Sequence, residues 1–269
     1  MQLIESKPLS VALSATRLEF TTTGGDTWKV WDRFISLDGK QLFHIGNICG
    51  TCEFFFRRMS DSPVSSFELE AIRSRLETGI DSVSDPATQF TEIIPNGNYI
   101  AALFTAQPKQ SGISTADYFT SEQPLAWRAY DDGDSPPNTS YFRGESNPLP
   151  DRRKMLFEFF VPLYDLSLLN SDRIQHYVSL LNSGIRPTAV ALSVLDVKSS
   201  MSFPEDDHGN EIVPEFETHW CFANYLLDGH HKVAASNATG KPITILSFIN
   251  LDHSANGIHE LMEYYRHFR

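Results

Sequence analysis

Hydrophobic and polar positions alternate in short runs through the first half of the chain and gather into longer apolar blocks through the second. Residues 28–34 (Trp-Lys-Val-Trp-Asp-Arg-Phe) alternate every second position, the period of a half-buried strand. Asp38-Gly39 follows as a hairpin turn, with residues 41–45 as the returning strand. Residues 53–58 carry Phe54, Phe55 and Phe56 and read as a core strand. Ser66 is placed to cap a helix over residues 67–76, with Phe67, Ala71, Ile72 and Leu76 on one face and Gly79 as its stop. Asn96-Gly97 introduces a strand at 99–105. Residues 107–150 are mostly turn formers, with room for a short helix at 116–119 or near Ala126. So long an irregular stretch marks a functional loop or a covering segment, and a domain boundary is placed near residue 150.

Beyond it the pattern sharpens. Residues 156–161 form an apolar strand bounded by Pro162, and Ser171 with Asp172 starts a helix to Asn182. Ile174, Val178 and Leu181 make its apolar stripe and Gly184 ends it. The β-branched run 188–195 reads as a buried strand, 199–214 as an acidic loop and 217–227 as another strand. A turn, a short helix, Gly240 and the apolar run 243–249 come next. Ser254 is the expected cap of a last helix through Tyr265, with Ile258, Leu261, Met262 and Tyr265 inward. The expected fold is α+β: a β-rich part over 1–150, then a small α/β part with a mixed sheet over 151–269.

Composition narrows the function. The formal net charge is −12, and the densest basic patch is the short Arg152-Arg153-Lys154. A nucleic-acid backbone needs clustered cations, so nucleic acid is not an expected partner. A small anion in a local basic pocket is compatible with the charge. No apolar run has the length of a membrane span, and residues 1–8 lack a signal-peptide layout, so no membrane association and a cytoplasmic location are expected. Three cysteines in a reducing compartment argue against a disulfide framework, with Cys221 read as a buried small hydrophobe between Trp220 and Phe222.

Two segments carry chemistry. The first is Asp228-Gly229-His230-His231-Lys232 at a strand-to-helix turn. Gly229 permits a left-handed turn, and a helix N-terminus offers unpaired N–H groups and positive potential to an anion. His231 and Lys232 can donate to phosphate oxygens, while His230 or Asp228 can handle a proton. The alternative is a plain cap, with surface histidines and a solvated lysine. Arg186 and Thr188 are further phosphate-ligand candidates, or ordinary loop polarity. Arg173 sits in the first turn of its helix, where a cation opposes the dipole unless an anion is near. Glu215, Glu217 and His219 alternate before the turn, as one strand face. The second segment runs from His44 to Cys52. Cys49-Gly50-Thr51-Cys52 has the spacing of half a zinc knuckle with His44 as a third ligand; a redox dithiol and two buried thiols are the other readings.

The stretch from about 155 to 250 resembles the ParB N-terminal/sulfiredoxin-like superfamily. The resemblance lies in Val161-Pro162-Leu163 before a helix ending at Asn182-Ser183-Gly184, in Arg186-Pro187-Thr188 before an apolar strand, and above all in the 228–232 turn with Ala234-Ala235 and Gly240-Lys241-Pro242. It implies a nucleotide-phosphate pocket at the helix after Gly229, with Mg²⁺ bridging the phosphates and phosphoryl transfer or nucleotide hydrolysis as the expected reaction. Sulfiredoxins carry a cysteine in the turn where this chain has His230, so their reductase chemistry is not implied. One helix follows strand 243–249 in place of the DNA-binding region of ParB proteins, so chromosome segregation is not implied either. The alternative is a non-catalytic module that senses a ligand, with a protein partner on the first half and a structural zinc.

Overall fold

The computed structural model describes residues 1–13, 16–24, 32–59, 70–84, 89–111, 117–127, 140–151, 153–163, 165–200, 205–213 and 215–267. The described strands are β1 (Gln2–Val11), β2 (Leu18–Thr23), β3 (Asp32–Leu37), β4 (Lys40–His44), β5 (Arg57–Arg58), β6 (Gly97–Ala106), β7 (Lys109–Ser111), β8 (Tyr141–Arg143), β9 (Asn147–Pro148), β10 (Lys154–Pro162), β11 (Thr188–Ser199), β12 (Thr218–Asp228) and β13 (Ile243–Asn250). The described α-helices are α1 (Glu70–Thr78), α2 (Glu122–Trp127), α3 (Ser171–Asn182), α4 (His230–Thr239) and α5 (Ile258–His267).

The main sheet runs β1-β6-β13-β11-β12-β10-β8-β7, with β9 also on β10; a second sheet runs β2-β3-β4-β5. In the main sheet β10 is parallel to β12 and β11 to β13, and the other pairings are antiparallel. The molecule is therefore strand-rich mixed α/β. Residue 150 lies between β9 and β10, which are hydrogen-bonded neighbours, so the main sheet runs across the change in composition seen there.

The central strands are apolar on both faces because each face is covered. On one side α1 and the second sheet bring Ile72, Leu76, Ile35 and Phe43 onto Val190, Leu192, Val194 and Tyr225. On the other, Tyr177 and Leu181 of α3, Val233 and Ala235 of α4 and Leu261 and Tyr265 of α5 pack on Leu156, Phe160, Ala191 and Phe222. The two sheets are also tied by charge. The Arg33 guanidinium is buried, pairs with both oxygens of Asp196 at 2.7 and 2.9 Å, and donates to the carbonyls of Gly46 and Asn47.

Several expectations are met and others corrected. The helix at 171–182 and the strands at 156–161, 188–195, 217–227 and 243–249 are found with small changes at their ends. Asp38-Gly39 joins β3 to β4 as a hairpin; residues 28–31 and the cap at Ser66 lie outside the described residues. Phe54 and Phe56 are buried, but they plug the core as irregular chain and only Arg57–Arg58 pairs as strand. The reason is visible at Phe54, whose N–H donates to the Gln123 side chain at 2.7 Å instead of to a neighbouring strand. Ser254 does not cap the last helix. Its hydroxyl accepts from Leu195 N–H at 3.0 Å and donates to the Asn250 carbonyl, which holds a turn ahead of α5.

Candidate anion site at the turn before α4

The main-sheet register sets one edge of the molecule. Pro162 pairs with Leu226 and Val190 with Asp228, so the carboxyl ends of β10 and β12 and the amino end of β11 lie together. From this edge β10 leads to α3 and β12 leads to α4. Crevices outside strand carboxyl ends are where open α/β sheets usually hold ligands.

Gly229 is the N-cap of α4 with φ 95°, and no side chain caps the helix. A Cβ here would overlap the Ala189 side chain, so both conformation and space demand glycine. The two histidines that follow face different ways. His230 is 5% exposed, and its Nε2 accepts the Leu163 N–H at 3.0 Å. Burial pushes its pKa down to about 3, so the ring is neutral with Nδ1 protonated. In this geometry its basic lone pair holds the chain after β10 and is not offered to a substrate. His231 is half-buried, and its Nε2 accepts the N–H of Asn170 at 3.1 Å. Burial and then the Arg173 charge lower its pKa, so it too stays neutral and its Nδ1–H is the remaining donor.

Lys232 is 3% exposed and is not a solvated lysine. Its ammonium donates to the Thr188 carbonyl at 2.8 Å and to Asp228 Oδ2 at 2.6 Å, and it lies over the Tyr177 ring. Burial works against charge on Asp228, but the Lys232 ammonium outweighs it and the carboxyl titrates below its usual range. Thr188 is fully buried, with its hydroxyl accepting from Ile80 N–H at 3.1 Å. Arg186 is exposed and lines a cavity of about 590 Å³ with Asp81, Thr105 and Thr244, a cavity to which residues 228–232 do not contribute.

The structure therefore gathers Asp228, Gly229, His231, Lys232 and the Thr188 backbone, and it sets Arg186 apart. It adds Asn170, Arg173 and Tyr177 from α3. Asn170 is the N-cap of α3, its side chain accepting from Arg173 N–H at 3.0 Å. Only Arg173 had a signal in the sequence, the unfavourable place of its charge. The carboxylates before the turn do not share a strand face: Glu217 precedes β12 and pairs with Arg153, while His219 is buried with Nδ1 3.0 Å from the Tyr118 hydroxyl. Burial lowers the His219 pKa to about 4.

Neither metal expectation finds a built site here. Cys49 and Cys52 form a disulfide, whose sulfurs carry no thiolate charge for zinc. His44 gives its Nε2 to Asp32 Oδ1 at 2.8 Å and stacks on Phe34. Asp228, the carboxylate of the turn, is paired with Lys232. Among the described residues no group of three or more His, Cys, Asp or Glu side chains is gathered to hold a metal. Among them, too, no helix is long and apolar enough to cross a membrane.

No family model, curated protein or solved structure matches the chain.

Proposed function

We propose that the protein binds a small phosphate-bearing molecule, a nucleotide by preference, where the N-termini of α3 and α4 meet. One observation carries this reading. Asn170, the cap of α3, is hydrogen-bonded to His231 in the first turn of α4, so two helix N-termini lie within one side chain's reach. In each first turn the helix geometry leaves N–H groups without an intrahelical partner, Asn170 taking that of Arg173 in α3, and the positive potentials of the two ends add. Gly229 brings no side chain to fill the N-terminus of α4. Arg173 stands in the first turn of α3, where its charge is unfavourable until an anion arrives. In this reading Arg173 and the Nδ1–H of His231 are the direct contacts. The Lys232–Asp228 pair shapes the turn from within. The resemblance to the ParB/sulfiredoxin-like superfamily supports the same location through the 228–232 motif.

The arrangement favours binding over turnover. His230 has its lone pair occupied and Asp228 its carboxylate paired, which leaves no general base at the turn. The protein then acts as a ligand-sensing module, with any magnesium brought by the phosphates themselves.

Calorimetric titration with ATP, ADP, CTP, GTP and pyrophosphate, with and without Mg²⁺, tests the reading. One of these is expected to bind at micromolar concentration, and Arg173→Glu, at an exposed position, is expected to weaken it by about tenfold or more. No binding by any of them, or binding indifferent to the charge reversal, would remove the proposal.

A further inference from the structure

We infer that the Cys49–Cys52 pair is a thiol–disulfide exchange site, reduced by dithiol proteins or by small thiols and reoxidised by disulfides. The inference is independent of the anion site.

The setting of the loop separates it from a structural staple. A disulfide stabilises mostly by closing a long stretch of unfolded chain, and this one closes a separation of three residues. The backbone of the loop is held by other means. The Lys198 ammonium, buried in β11, donates to the carbonyls of Asn47 at 2.9 Å and Cys49 at 2.8 Å. Ser199 N–H donates to the Gly50 carbonyl at 2.6 Å, and the Trp127 indole to that of Thr51 at 3.0 Å. Cys49 N–H is fixed on the Asn47 side chain. Breaking the S–S bond leaves all of these in place, so the two sulfurs stay neighbours in the dithiol form and can close again. Meanwhile the site is open to a reactant: Gly50 and Thr51 are exposed, both cysteines are half-buried, and Ile48 presents an apolar side chain at 46% exposure beside them.

The two sulfurs are not equivalent. The Cys49 sulfur lies 3.2 Å from the Thr51 hydroxyl, which can donate to a thiolate, and the Lys198 charge sits on its own carbonyl. Cys52 has the exposed carboxylate of Glu53 as its neighbour in the chain. Cys49 is therefore the better leaving thiolate and the better nucleophile at neutral pH.

The exchange follows from that asymmetry. A donor thiolate attacks the Cys52 sulfur; the S–S bond breaks, and its electron pair leaves on Cys49. A mixed disulfide now joins the donor to Cys52. A second donor thiolate attacks the donor's sulfur, and that electron pair leaves on Cys52, which takes a proton. Two thiols of the donor become one disulfide, and the protein gains two electrons and holds a dithiol. Oxidation starts at the better nucleophile: the Cys49 thiolate attacks a disulfide, and one of its sulfurs leaves as a thiolate. The Cys52 thiolate then attacks the Cys49 sulfur, closing the loop and releasing the second sulfur as a thiolate that takes a proton. Cys221 takes no part: it is fully buried, and burial raises its thiol pKa far above neutrality.

The protein is incubated with oxidised glutathione, with millimolar reduced glutathione, or with a thioredoxin, then freed of the reagent by rapid desalting at neutral pH. It is labelled with maleimide under native conditions and weighed by mass spectrometry. No label after oxidation and two labels after reduction by either donor are the expected results, with Cys221 silent in both. Labelling of the loop after oxidation, or no labelling after either reductant, would overturn the inference. A second measurement checks the chemistry within it. In the oxidation-proof variants Cys52→Ser and Cys49→Ser, the remaining loop thiol is alkylated with iodoacetamide at neutral pH. Cys49 is expected to react roughly tenfold faster than Cys52, and a reversed order would overturn the assigned direction of attack.

Discussion

The turn at 228–232 and the loop at 49–52 both look reactive in the sequence, and the fold uses them in opposite ways. In the turn, side chains are spent on the protein itself: His230 on Leu163, His231 on Asn170, Lys232 on Asp228 and Thr188. In the proposed reading, what remains for a ligand is the Arg173 guanidinium, the Nδ1–H of His231 and the positive ends of two helices. In the loop the backbone is engaged, its carbonyls taken by Lys198, Ser199 and Trp127, while the sulfurs project from a held frame. A motif therefore names a chemistry only after its polar groups have been accounted for, side chain and main chain separately.

Acid gives the largest effect that can break this contrast. His230 and His219 are buried and neutral, with pKa values lowered to about 3 and about 4. An unfolded chain takes up protons on both below about pH 6.5, which the folded chain does not. Stability is thus complete above that pH and falls as the pH drops toward 4, by up to about 1.4 kcal/mol per unit for each histidine. Urea midpoints measured from pH 7 to pH 5 should decline by the equivalent of roughly 4 kcal/mol; a flat profile would show that the turn does not sequester His230. Next in size is Gly229→Ala, which forces a left-handed alanine against Ala189 and should cost about 2–4 kcal/mol. If thermal melting of that variant matches the parent, the turn is soft and the ordered helix N-terminus is lost as an argument. Opening the disulfide is the smallest: Cys52→Ser, or reduction, should cost about 2 kcal/mol or less because so little chain is closed. A loss well beyond that in denaturant titrations would make the loop a staple and erase its difference from the turn.

The central strands and α3 were legible because burial on both faces writes long apolar blocks, as in 188–195, and because helix α3 carries its stripe and its glycine stop within a few residues. The edge strand β1 was not: Gln2, Glu5, Lys7 and Pro8 give it no apolar period, since among the described residues one flank has no partner strand and much of it meets solvent. Phe54 to Phe56 read as strand because apolar density does not distinguish a ladder from a plug. At the candidate site, the glycine turn and the residue types were readable, while their partners were not. The Arg33–Asp196 pair spans 163 positions and His230–Leu163 spans 67, separations on which no local pattern reports.

The position of β6 in the main sheet has a consequence for synthesis. One edge of β6 is satisfied early, by β1, but its other edge pairs with β13, so Ala106 waits for Ile243. While a ribosome makes the intervening chain, a strand as apolar as Ala101 to Phe104 has a bare flank able to pair with any other extended chain. Neither half made alone would have this sheet complete: the first lacks the strand that covers β6, and the second lacks the strand that covers β13. Folding of this sheet in the nascent protein is then timed by β13, and the interval before that strand emerges is when the chain most needs a chaperone's protection.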